Sequence, residues 1–107
     1  MCQIDRQGNN DIVYYDNPNA KKHKLYRESK EFKIYIEKLT GYKEQEGTGT
    51  DILDLTNWTG VSSFNISCGY YNEQHLDEYI SLSDMLKTYN ALDKLLSDIC
   101  NAKIYRI

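Results

Sequence analysis

The stretch FNISCGYYNEQHLDEY, residues 64–79, places Cys68, His75, Asp77 and Glu78 close together along the chain. A thiol near an imidazole is the pairing of a cysteine nucleophile with its base. A histidine with two carboxylates is a donor set for a divalent metal. Both chemistries need the side chains to converge, so the elements that carry them decide the matter. Alternation puts Phe64, Ile66, Cys68 and Tyr70 on one face of a strand, and Ser63, Asn65, Ser67 and Gly69 on the other. The first set reads as a core face, where a free cysteine behaves as a small hydrophobe. The turn NEQ then holds His75 apart, and Glu78 alternates away from His75 and Asp77. The expectation is a buried-face strand, a turn and an acidic edge, with no catalytic residue, no metal and no other cofactor.

Other chemistry-bearing stretches are weaker. Cys2 would present an α-amine beside its thiol if Met1 were removed, the arrangement of an N-terminal nucleophile. Cys2, Cys68 and Cys100 are odd in number and lack CxxC spacing, which argues against a disulfide framework or a thiolate zinc site. No HxH, HExxH or calcium-loop pattern occurs. GTGTD, residues 47–51, resembles a phosphate loop only superficially. It lacks the Lys-Ser/Thr pair that would follow, and Glu44, Glu46 and Asp51 surround it with repelling charge. KKHK, residues 21–24, with Arg27 nearby, is the only basic cluster and reads as a solvated helix start.

The bulk properties agree with a small folded protein. A chain of 107 residues is the size of a single domain, residues 1–107, and ten tyrosines supply large burial per residue. A net charge of −3 disfavours a direct nucleic-acid partner, which demands cations to displace counterions. No basic-then-apolar leader and no long apolar run is present, so the expectation is a cytoplasmic protein without membrane partners. NWT and NIS match the glycosylation acceptor pattern, which carries little weight without a leader. Ten of the 13 basic residues are lysine, and Asn, Ile and Tyr are abundant, a bias that points to an AT-rich genome of bacterial, phage or plasmid origin.

The elements that must position any site follow from periodicity. QGNN predicts a hairpin turn between strands at 2–6 and 11–15, and Asn17-Pro18 a break. Leu25, Phe32, Ile36 and Leu39 line one side of a helix capped by Ser29 and Gly41, leaving Ile34 on the polar side; alternation of Phe32, Ile34 and Ile36 is the rival strand reading. ILDL and VSSFNISCGYY read as strands joined around TNWTG, and HLDEYI as a short further strand. Ser81 and Asp84 match a capping box. The helix they open carries a stripe of Met85, Tyr89, Leu92, Leu96 and Ile99, flanked by Leu86, Leu95 and Cys100, which reads as its core face. KIYRI closes the chain as a strand. The predicted class is α+β, a mainly antiparallel sheet with two helices, in the order β-β-α-β-β-(β)-α-β.

Adjacent aromatics on strands cannot all be buried, so Trp58, Tyr70 and Tyr71 are candidate contact residues, with Glu44, Glu46, Asp77 and Glu78 as an acidic rim. The function this favours is a non-catalytic protein-binding module. It would be an inhibitor from a phage or mobile element, of the anti-defence or anti-CRISPR kind, that occludes a host protein with a basic nucleic-acid-binding surface. The alternative is a small-ligand or nucleotide-binding sponge in which aromatic faces stack a base and Lys21, Lys22 and Arg27 meet phosphates. A third is a small cysteine-dependent enzyme using Cys68 or Cys2.

Overall fold

The structure is a computed structural model and describes residues 1–14, 29–45 and 52–98. Its elements run β1 (Cys2–Arg6), β2 (Asp11–Tyr14), α1 (Lys30–Thr40), β3 (Lys43–Glu44), α2 (Ile52–Thr59), β4 (Phe64–Ser67), β5 (Tyr70–Tyr71), β6 (Tyr79–Ile80) and α3 (Leu82–Ser97). The α+β class expected from the sequence is the class observed. The sheet itself is more mixed than expected. Its order is β1-β4-β2-β3, with β1–β4 and β2–β3 parallel and β2–β4 antiparallel, and β5–β6 forms a separate antiparallel pair.

The strands at either side of QGNN form, but they do not pair as a hairpin. β4 lies between them, paired on both edges, and all four of its residues are buried. Gly8 and Asn10 take positive φ values of 89° and 62°, so the connection spans the width of an inserted strand. The Arg6–Asp11 ion pair, at 2.8 Å, ties its two ends. ILDL belongs to a helix, α2, and β3 is an additional short strand, so the described residues hold three helices where two were expected. The closing strand KIYRI, Leu25, the break at Asn17-Pro18, and Ile99 and Cys100 lie outside the described residues.

One face of the sheet makes the core. The register aligns Ile12 with Ile66 and Tyr14 with Phe64, and these four side chains meet Phe32 and Ile36 of α1, with Tyr42 and Ala91. Tyr14 and Phe32 pack edge to face with centroids 5.9 Å apart, and Phe32 and Phe64 at 6.2 Å. α1 forms as its periodicity predicts. Ser29 Oγ accepts from the Phe32 amide at 3.1 Å, Gly41 closes the helix in the left-handed conformation, and Ile34 stays exposed.

The other face of β4 is buried too, although its residues are polar. Each finds a partner. Asn65 Oδ1 accepts from the Asp5 amide at 3.1 Å, where the register of β1 slips between Gln3 and Arg6. Ser67 Oγ accepts from the Asp11 amide at 3.2 Å and donates to the Asp11 carbonyl at 3.1 Å. Ser63 shares a hydrogen bond with Thr56 of α2. Short polar side chains thus let a strand without aliphatic residues on that face be central, since buried polar groups are tolerated when bonded.

Candidate functional site

α3 is the element on which the site rests, and its seating is specified by three contacts. Ser81 caps it, with Oγ accepting from the Asp84 amide at 3.3 Å, as the capping pattern predicts. Gly69, at φ 86°, lies against its first turn so closely that a Cβ there would sit 2.7 Å from the Met85 nitrogen. Thr88 Oγ1 donates to the Ser67 carbonyl at 2.7 Å and bonds the buried Tyr42 hydroxyl at 2.7 Å. The small residues Thr88 and Ala91 face the sheet, with Leu92 and Leu95 half-buried beside them.

That seating overturns the expected stripe. Met85, Tyr89 and Leu96 do not reach the core; they project into solvent together with Leu82 and Leu86. Leu82 is 73% exposed, Leu86 58%, Tyr89 65% and Leu96 68%, values of a solvated helix face rather than of a packed one. α3 packs against α1 and the end of β4 through Thr88, Ala91, Leu92 and Leu95, and its other apolar side chains are left outward.

The β5–β6 hairpin extends this surface. Tyr79 and Ile80 are exposed immediately before the Ser81 cap, and Leu76 is fully exposed in the hairpin turn. Tyr79 stacks on Tyr71 with ring centroids 5.2 Å apart, and the Tyr71 hydroxyl donates to Asp84 Oδ2. That bond pushes the Tyr71 phenol up to about 12 and draws Asp84 below the usual carboxylate range. A carboxylate lowered by folding contributes stability above its unfolded pKa that is lost as pH falls through its folded one. Tyr71→Phe is therefore expected to lower the thermal midpoint near neutrality and to flatten its fall between about pH 7 and about pH 3. Calorimetry at the two pH values checks this; an unchanged acid profile in the variant contradicts it.

The residues singled out from sequence fare unevenly. Trp58, at the end of α2, is 81% exposed. Tyr70 and Tyr71 are half-buried, and their hydroxyls are bonded inside the fold, Tyr70 to the Asp5 carbonyl and Glu73 at 3.4 Å each. Burial, before the nearby acids, pushes the Tyr70 phenol up to about 12. Glu44 pairs with Lys33 at 2.8 Å. Asp77 and Glu78 are exposed but hold the hairpin turn, Asp77 accepting from Asn72 at 3.1 Å and Glu78 from the Gln74 amide at 2.8 Å. These two belong to the turn rather than to an edge strand, since β6 covers only Tyr79–Ile80. Glu46 lies outside the described residues.

Cys68 follows β4 half-buried, its thiol donating to the Arg6 carbonyl at 3.7 Å, and burial raises its pKa. Cys2 is exposed as a residue, yet its sulfur is sheltered enough to push the thiol up to about 11, against the lowering effect of the terminal ammonium. The Met1 amine donates to the Ser62 carbonyl at 2.6 Å. Among the described residues no group of three or more His, Cys, Asp or Glu side chains is placed to hold a metal ion. No helix there is long and apolar enough to cross a membrane. Burial lowers the thiolate fraction of Cys2 while a more basic thiolate attacks faster, so its native alkylation is expected to be about tenfold slower than after unfolding. Site-resolved mass spectrometry of labelled protein reads this; rapid labelling of folded Cys2 or Cys68 would revive the nucleophile.

Comparison with family models, with curated proteins and with solved structures finds no match.

Proposed function

We propose that this protein is a non-catalytic protein-binding module whose contact face is the outer side of α3, continued by the β5–β6 hairpin. The observation that carries the reading is the exposure of Leu82, Leu86, Tyr89 and Leu96 on one helix otherwise anchored in the core. Contiguous apolar surface of this kind marks interaction sites in soluble proteins, because water is released when a partner covers it. The acidic residues Glu73, Asp77 and Glu78 flank it in the hairpin turn and supply charge for steering a basic partner. An inhibitor of a host protein, of phage or mobile-element origin and acting by steric occlusion, is the form of this function that the composition favours.

The nucleotide-sponge alternative has less behind it. Tyr14, Phe32 and Phe64 cluster in the core, Tyr71 and Tyr79 stack on each other in the hairpin, and Lys21, Lys22 and Arg27 lie outside the described residues.

The experiment is affinity purification from the host with wild-type, Leu86→Glu and Trp58→Ala bait. A specific protein retained by wild type and lost with Leu86→Glu is the expected result. Retention unchanged by Leu86→Glu and abolished by Trp58→Ala would move the contact face to α2 and contradict the proposal.

A further inference from the structure

The exposed side chains of α3 are not scattered. Leu82, Leu86, Tyr89, Asp93 and Leu96 follow one another at spacings of four, three, four and three residues. That spacing is the a/d repeat through which one helix receives another, each side chain entering a hole between four of its partner's. All five are exposed. Asp93 is the only charge in the seam, and it makes no hydrogen bond or ion pair among the described residues. Met85 and Leu92 border the seam on one side, and Ser83, Asn90 and Ser97 on the other, so neither border supplies a competing charge.

We propose that the occupant of this face is an amphipathic α-helix of another protein, apolar at the same repeat and carrying an arginine or lysine opposite Asp93. The inference rests on the protein-binding reading above and adds the partner's chemistry to it. A carboxylate in the middle of an apolar seam is desolvated when covered, which is costly unless a cation meets it there. A second copy of this chain does not provide one. Parallel pairing in register sets Asp93 against Asp93, and antiparallel pairing about Tyr89 sets it against Met85. A partner with a basic residue at that height satisfies the charge and fixes the register, the role polar seam residues play in helix pairs. The helix of α3 is already held by the core, so only the partner segment loses freedom on binding.

The test uses two synthetic helical peptides of about three heptads, leucine at the seam positions, identical except for arginine or glutamate at the central one. The central charge also discourages each peptide from pairing with itself. Titrated into isotope-labelled protein, the arginine peptide is expected to shift the amides of residues 82–97 and to bind about 5-fold or more tighter than the glutamate peptide. Asp93→Asn should abolish that preference while leaving the spectrum of the remaining fold in place. Equal affinity of the two peptides, or a preference that survives Asp93→Asn, overturns the role of Asp93. Failure of both peptides to perturb α3, alongside a host partner still lost with Leu86→Glu, would reject a helical occupant while sparing the protein-binding face. Sedimentation showing a dimer of the chain that Leu86→Glu dissociates would replace the proposed partner by a second copy.

Discussion

Gly69→Ala is expected to destabilise the fold by about 2–4 kcal/mol, enough to lower the thermal midpoint by about 10 °C or more. Two costs act at once. Gly69 holds φ 86°, a conformation L side chains rarely adopt, and the new methyl would lie 2.7 Å from the Met85 nitrogen and 2.9 Å from Asp84 Cβ. The obstacle is helix backbone, which cannot turn aside as a flexible side chain would. Gly69 also donates to the Gly8 carbonyl at 2.9 Å and accepts from the Ser81 amide at 2.7 Å, so its displacement would loosen the seat of α3. Gly8 is the internal control. It has φ 89° but nothing within 4 Å of its would-be Cβ, so Gly8→Ala should cost only the conformational part, about 1–2 kcal/mol. Denaturant titration of both variants separates the two costs, and equal losses would refute the close approach.

Leu86→Glu is the second large effect, and it falls on binding rather than stability. Leu86 is 58% exposed, so a carboxylate there is solvated in the free protein and should change the unfolding free energy by less than about 0.5 kcal/mol. In a complex the same carboxylate would be buried against apolar surface. A central anchor lost in this way is worth about 2 kcal/mol or more, or roughly a 30-fold loss of affinity. The pair of readouts matters, because a variant that merely unfolded would lose both. Calorimetric titration of the captured partner, with thermal melts of the same samples, measures them together. Affinity within about twofold of wild type would remove Leu86 from the contact.

Much of the fold was legible where local physics acts alone. The cap residues Ser29, Gly41 and Ser81 are placed as their side-chain chemistry demands, and Phe32 and Ile36 turn inward as their spacing requires. What the chain does at long range was not legible. β4 separates β1 from β2, and no local signal in QGNN announces an inserted strand, since a wide connection and a tight turn use the same residues. Nor does ILDL distinguish helix from strand, because a short apolar run fits either.

The candidate site failed to emerge from sequence for a related reason. α3 carries leucines around about half of its circumference, so its periodicity is compatible with more than one core face. Thr88 and Ala91, unremarkable in sequence, decide the matter by fitting against Tyr42 and the β4 end, and Met85, Leu86, Tyr89 and Leu96 are left outside. Trp58 is exposed on a helix, where strand alternation does not act. Tyr70 and Tyr71 are both half-buried, and their hydroxyls are committed to Asp5, Glu73 and Asp84. In the opening cluster His75 is carried out on the hairpin turn, as its spacing predicts, whereas Cys68 follows the end of β4, half-buried on the Arg6 carbonyl and outside the core.

The central claim, that the outer side of α3 is the surface a partner protein covers, is tested most directly by site-specific photo-crosslinking in the host. A photoreactive phenylalanine analogue placed at Tyr89 is compared with one at Lys38, an exposed position on α1. One discrete adduct to a single protein from position 89, absent from position 38 and suppressed by Leu86→Glu, is the predicted result. Adducts of equal yield from both positions, or an adduct from position 38 alone, would contradict the account.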